Sequence, residues 1–106
     1  MNSKKKSSKP DTTQKYKFKV EDFRELLEKQ SKKCYLTGRE LSPENTYAEH
    51  IVPLGKGGEH SRENIVLIIE MLSKLKRYYT TEEIINMAYD LLSYRGGEYG
   101  IKISRR

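Results

Sequence analysis

The run from Glu49 to Val66, EHIVPLGKGGEHSRENIV, sets a carboxylate beside a histidine and follows them with a proline, a Gly-Gly pair and an asparagine. Groups in that order suit a metal-assisted attack on phosphate. Glu49 supplies a hard oxygen ligand, His50 a base whose ordinary pKa is about 6.5, and Asn64 an amide able to steady the intervening loop. Each also has a plainer use: Glu49 as a surface carboxylate, Asn64 as an Asx turn leading into a strand. His60, just past the glycines, is expected to be a solvated loop histidine rather than a catalytic one.

The elements that must position these groups follow from periodicity and turn chemistry. Phe23, Leu26 and Leu27 recur at helical spacing between Val20 and Lys33, which predicts an amphipathic helix. Cys34 to Leu41 reads as a short extended segment and Ser42-Pro43-Glu44-Asn45 as a loop. Tyr47 to Leu54 alternates as a strand does, Gly55-Lys56-Gly57-Gly58 interrupts it, and Ile65 to Ile69 makes a second extended piece, the first half of a ββα unit. A helix is predicted from Glu70 to Tyr78, with Met71, Leu72 and Leu75 on one side and Lys74, Lys76 and Arg77 on the other. Thr80 with Glu83 forms a capping box for a last helix, whose stripe of Ile84, Ile85, Met87, Ala88, Leu91 and Leu92 ends before Gly96-Gly97. There is no internal repeat.

Composition narrows the class. A chain of 106 residues suffices for one domain with a modest core, and a hydrophobic content of 35% makes a stabilising metal or partner plausible. Residues 1 to 17 are almost devoid of apolar side chains and read as a disordered basic arm; residues 18 to 95 read as the folded domain and 96 to 106 as a short basic tail. With 21 Lys and Arg against 15 Asp and Glu, the net charge is +6, and such an excess attracts polyanions by counterion release, which makes nucleic acid the expected partner. Lys56, Arg62, Lys74, Lys76, Arg77 and Arg95 are the candidate phosphate contacts, with Tyr78 and Tyr79 nearby; a solvated charge is the alternative for each. The single cysteine, Cys34, rules out an intramolecular disulfide and paired CxxC zinc knuckles, so no structural zinc is expected and Cys34 is expected to be a small buried hydrophobe. No apolar run is long enough to cross a bilayer and no secretory core follows the basic start, so a soluble, cytoplasmic protein is expected.

The same residues resemble the HNH nuclease family, the His-Me finger or ββα-metal nucleases. The resemblance rests on Glu49-His50, Ile51-Val52-Pro53, Gly57-Gly58 and Asn64-Ile65-Val66, with Cys34-Tyr35-Leu36-Thr37-Gly38 upstream, and spans roughly residues 30 to 90. It implies an α+β fold built on a small two-stranded ββα-metal unit, flanked by an N-terminal and a C-terminal helix. It further implies a divalent-metal-dependent endonuclease that hydrolyses DNA phosphodiester bonds, of the kind found in phages, mobile elements, restriction systems and CRISPR effectors. In that family the histidine after the acidic residue takes a proton from water, which attacks phosphorus in line; His50 holds that place. Glu49 would bind Mg²⁺ or Mn²⁺, and Asn64 stands at the family's middle asparagine.

The third family position departs from the pattern. Nine positions beyond Asn64 stands Ser73, where the family commonly has Asn or His as a metal ligand, with Lys76 three residues on. A hydroxyl is the shorter and poorer ligand, and Glu70, one helical turn earlier, is the candidate to supplement it. Two further readings follow from that departure: a catalytically weakened HNH-fold nucleic-acid-binding subunit, or a docking module of a larger nuclease complex.

Overall fold

The computed structural model describes residues 16–104. Three helices and one two-stranded antiparallel sheet make a small α+β fold: α1 (Val20–Lys29), β1 (Thr46–His50), β2 (Ile65–Ile69), α2 (Glu70–Tyr78) and α3 (Thr81–Arg95), with single 3₁₀ turns at Leu54–Lys56, Arg62–Asn64 and Gly96–Tyr99. The expected arm lies outside the described residues up to position 15, whereas Tyr16, within its expected span, is half-buried and packs on the core. Among the described residues, no helix is long and apolar enough to cross a membrane.

β2 organises the core because it is apolar at all five positions, Ile-Val-Leu-Ile-Ile, and can be covered on both faces. Ile65 and Leu67 pack with Leu26 of α1. Val66 and Ile68, pointing the other way, pack with Cys34 and, on α2, Leu72. The hairpin is thus sandwiched between α1 and α2. In its register His50 pairs Ile65, Glu49 pairs Val66 and Thr46 pairs Ile69.

The free edge of β2 is closed by side chains and by the Tyr35 N–H, which donates to the Leu67 carbonyl at 3.1 Å, rather than by a third strand. The Gln30 amide accepts the Leu67 N–H at 2.8 Å and donates to the Leu67 carbonyl at 3.0 Å. Cys34 Sγ accepts the Ile69 N–H at 3.4 Å. These bonds satisfy backbone groups that an exposed edge would offer to another chain, and they explain why α1 stops at Lys29, short of the Lys33 suggested by its pattern. Ser31 and Lys32 take the left-handed conformation, with φ of 54° and 59°, to bring the Gln30–Cys34 turn against the strand.

Two other boundaries differ from the sequence reading for identifiable reasons. The first strand ends at His50 rather than Leu54: Ile51 N–H still donates in register to the Asn64 carbonyl at 2.7 Å, but Val52 bonds the Asn64 side chain instead of a partner backbone. The segment after Gly96 is not all tail. Gly96 is buried, its carbonyl accepts the Ile101 N–H at 2.9 Å, and Gly100 turns the chain with a φ of 77°.

Candidate active site

Of the candidate residues, Glu49, His50 and Asn64 lie where β1 ends. Asn64 makes the frame: its side-chain oxygen accepts the Val52 N–H at 2.9 Å, and its Nδ2 donates to the Val52 carbonyl at 3.0 Å and to the Glu59 carbonyl at 2.8 Å. One amide therefore serves Val52 as a neighbouring strand would and ties down the loop that carries His60. The two glycines have different reasons. Gly57 takes a φ of 91°, a conformation costly for a side-chain-bearing residue. A Cβ on Gly58 would land on the Val52 carbonyl and 2.9 Å from Asn64 Nδ2, so only glycine lets the loop close on this frame.

His50 and His60 meet in that frame, with His50 Nε2 and His60 Nδ1 3.0 Å apart and the rings edge to face, centroids 5.3 Å apart. The other edge of His60 lies against Tyr16, with centroids 5.2 Å apart. Tyr16 in turn donates to Asp22 at 2.9 Å, and Arg62 forms ion pairs with Asp22, at 3.7 Å, and with Glu25. Burial, then the bond to Asp22, pushes the Tyr16 hydroxyl up to about 12. The Lys19 amide, Tyr16 and Arg62 hold Asp22 below the ordinary carboxylate range. His60, read from the sequence as a solvated loop residue, is instead half-buried between the catalytic candidate and the N-terminal segment. Only its spacing from the glycines marked it.

Burial, then the neighbouring His60 and Lys76, lowers the His50 pKa, opposed by the charge of Glu49. The ring is therefore neutral at neutral pH. When His50 Nε2–H donates to His60 Nδ1, His50 Nδ1 is left as a free proton acceptor, so a base role selects this tautomer.

Glu49 lies on the opposite face of β1, the α2 face, as the register requires for adjacent strand residues. It is buried, and Arg77 Nη2 donates to its Oε2 at 3.0 Å; that bond raises the Arg77 pKa. Lys76, one residue earlier, is fully buried and donates to the carbonyl of Ile51 and, at 3.0 Å, to that of Tyr79. Burial pushes its ammonium below the usual lysine range. The last turn of α2 thus closes on the end of β1 from below, while His60 and Tyr16 close on it from above. Lys76 offers no surface to a phosphate, and Arg77 is committed to Glu49 although its side chain is partly exposed.

Ser73 is buried one turn before Lys76. Glu70 is exposed at the start of α2, immediately after Ile69, which pairs Thr46, at the far end of the hairpin from His50. Four strand positions at about 3.3 Å each separate those ends, so the fold does not bring Glu70 to His50. Among the described residues there is no group of three or more His, Cys, Asp and Glu able to hold a metal ion. Glu49, the carboxylate candidate at this strand end, is buried and bonded to Arg77, so an ion there would have to displace that guanidinium. Of the candidate phosphate contacts, Lys56 pairs with Glu83 at 2.8 Å and Arg95 with Glu98 at 2.7 Å, while Lys74 is exposed.

No family model matches the chain, and a search of curated proteins returned no match.

Proposed function

We propose that the protein is a divalent-metal-dependent endonuclease of the HNH type that hydrolyses DNA phosphodiester bonds inside the cell. The observation that carries this reading is His50: a neutral imidazole at the end of β1, bonded through Nε2 to His60 and with Glu49 on the other face of the same strand end. The imidazole stands on the loop side of that end, and the carboxylate on the α2 side has to leave Arg77 before it can meet an ion or a phosphate. His50 Nδ1 takes the proton of the attacking water. His60 keeps the ring in the tautomer that can do so, and Asn64 holds the loop on which His60 stands. Glu49 would hold Mg²⁺ or Mn²⁺, which when bound supplies charge stabilisation for the phosphorane and the leaving oxygen.

One observation favours a second reading, a DNA-binding subunit of the same fold with weakened catalysis. The Glu49 carboxylate is buried and already bonded to Arg77, and Ser73 takes the place of a stronger ligand. Cleavage of supercoiled plasmid separates the two. The endonuclease converts it to nicked or linear form with Mg²⁺ or Mn²⁺, stops in chelator, and loses activity in His50→Ala while DNA binding and thermal unfolding stay as in wild type. Equal behaviour of wild type and His50→Ala across both metals sinks the enzymatic reading and leaves the binding one.

A further inference from the structure

α3 is apolar out of proportion to what covers it. Thr80 caps it by accepting the Glu83 N–H at 3.1 Å, yet none of its fifteen residues is buried. Ile85 is 60% exposed, Leu91 62% and Tyr94 82%. Between α3 and the body runs a groove of about 1260 Å³, lined by Tyr35, Leu36, Leu72, Leu75, Ile84 and Leu91 among others. An apolar opening of this size between a helix and its own domain is a docking surface.

The helix itself states what fits it. Ala88 is the middle residue of Thr81–Arg95. Ile85 and Leu91 stand three positions either side of it, and Ile84 and Leu92 four either side. When a helix packs antiparallel on a copy of itself about a two-fold axis, positions equally far from the centre on opposite sides face each other. A stripe symmetric about its own midpoint therefore meets an aliphatic residue at each level, with the smallest side chain at the axis, where the backbones come closest. Charge agrees with this direction: the first turn carries Glu82 and Glu83, the latter already paired with Lys56, and the last turn Arg95, so antiparallel pairing sets the acidic start of each helix against the basic end of the other. In the monomer Arg95 pairs with the exposed Glu98 and lies over the Tyr94 ring. An unrelated partner would require neither symmetry.

We propose that α3 is a dimerisation helix and that its occupant is a second copy of this chain, with the two α3 helices antiparallel about Ala88. This inference goes beyond the nuclease reading and is independent of it. Sedimentation equilibrium of the full chain across the micromolar range should give the mass of two chains. The double variant Ile85→Glu and Leu91→Glu should weaken association at least ~30-fold with its circular dichroism unchanged, because both side chains are mostly exposed in the monomer. As a positional test, Ala88→Cys should form an intermolecular disulfide under mild oxidation and Ser93→Cys, on the polar side of the helix, should not; Cys34 is buried and contributes equally to both. A chain that stays monomeric throughout, a dimer indifferent to the two glutamates, or equal cross-linking at 88 and 93 overturns the proposal.

Discussion

At the scale of single residues, the pair His50 and His60 decides what the strand end can do. Burial and a second imidazole hold His50 neutral below the pH at which a free histidine charges. The sign is definite: a base whose folded pKa is depressed contributes its stability fully above about pH 6.5 and loses it as pH falls below that value, where the unfolded chain binds more protons. Plasmid cleavage should therefore persist somewhat below pH 6.5 and fail on its acidic side together with thermal stability; a rate that already declines above pH 7 would contradict a depressed pKa at His50. His60 should behave as a positioning residue. His60→Ala is expected to slow cleavage about 10- to 100-fold and to raise the acidic limb of the pH profile, because one lowering influence on His50 is gone. An unaltered profile with an unaltered rate would show that the 3.0 Å contact has no functional weight.

At the scale of elements, α2 does more than cover one face of the hairpin. Its last turn supplies Lys76, whose ammonium bonds the carbonyls of Ile51 and Tyr79 and so locks the end of β1 to the junction with α3. Lys76→Met keeps the volume but leaves two carbonyls without that donor, and a loss of at least about 2 kcal/mol is expected. In a domain of this size that lowers Tm by on the order of 10 °C. Differential scanning calorimetry checks it, and a shift within a degree or two would mean that water replaces the ammonium at no cost.

At the scale of the whole molecule, a net charge of +6 suits a polyanionic partner, but the fold ties up many of its cations. Lys56 pairs with Glu83, Arg62 with Asp22 and Glu25, and Arg77 with Glu49. Lys74 is exposed on α2. Binding of a DNA duplex, followed by fluorescence anisotropy, should fall steeply with salt, and Lys74→Gln should flatten the log–log slope by about one unit. Lys76→Gln should leave the slope where it is in any fraction that remains folded. Equal slopes for wild type and Lys74→Gln would take α2 out of the DNA-facing surface.

What the sequence determined by itself is local in the chain. The Thr80–Glu83 capping box, the unbroken apolar run of β2, the Gly-Gly closure and the ββα order all depend on neighbours a few positions apart, so periodicity and turn chemistry expose them. Alternation along β1 also required Glu49 and His50 to point to opposite faces. The tertiary structure alone decided what each face meets. His60 finds His50 on one side and Tyr16 on the other, Arg77 reaches back to Glu49, Lys76 is buried instead of gripping phosphate, and Glu70 is carried to the wrong end of the hairpin. Periodicity tells which side of an element a residue occupies; what stands opposite is settled by how separate elements pack, through contacts between residues far apart in the chain, 10 positions for His50 and His60 and 44 for Tyr16 and His60.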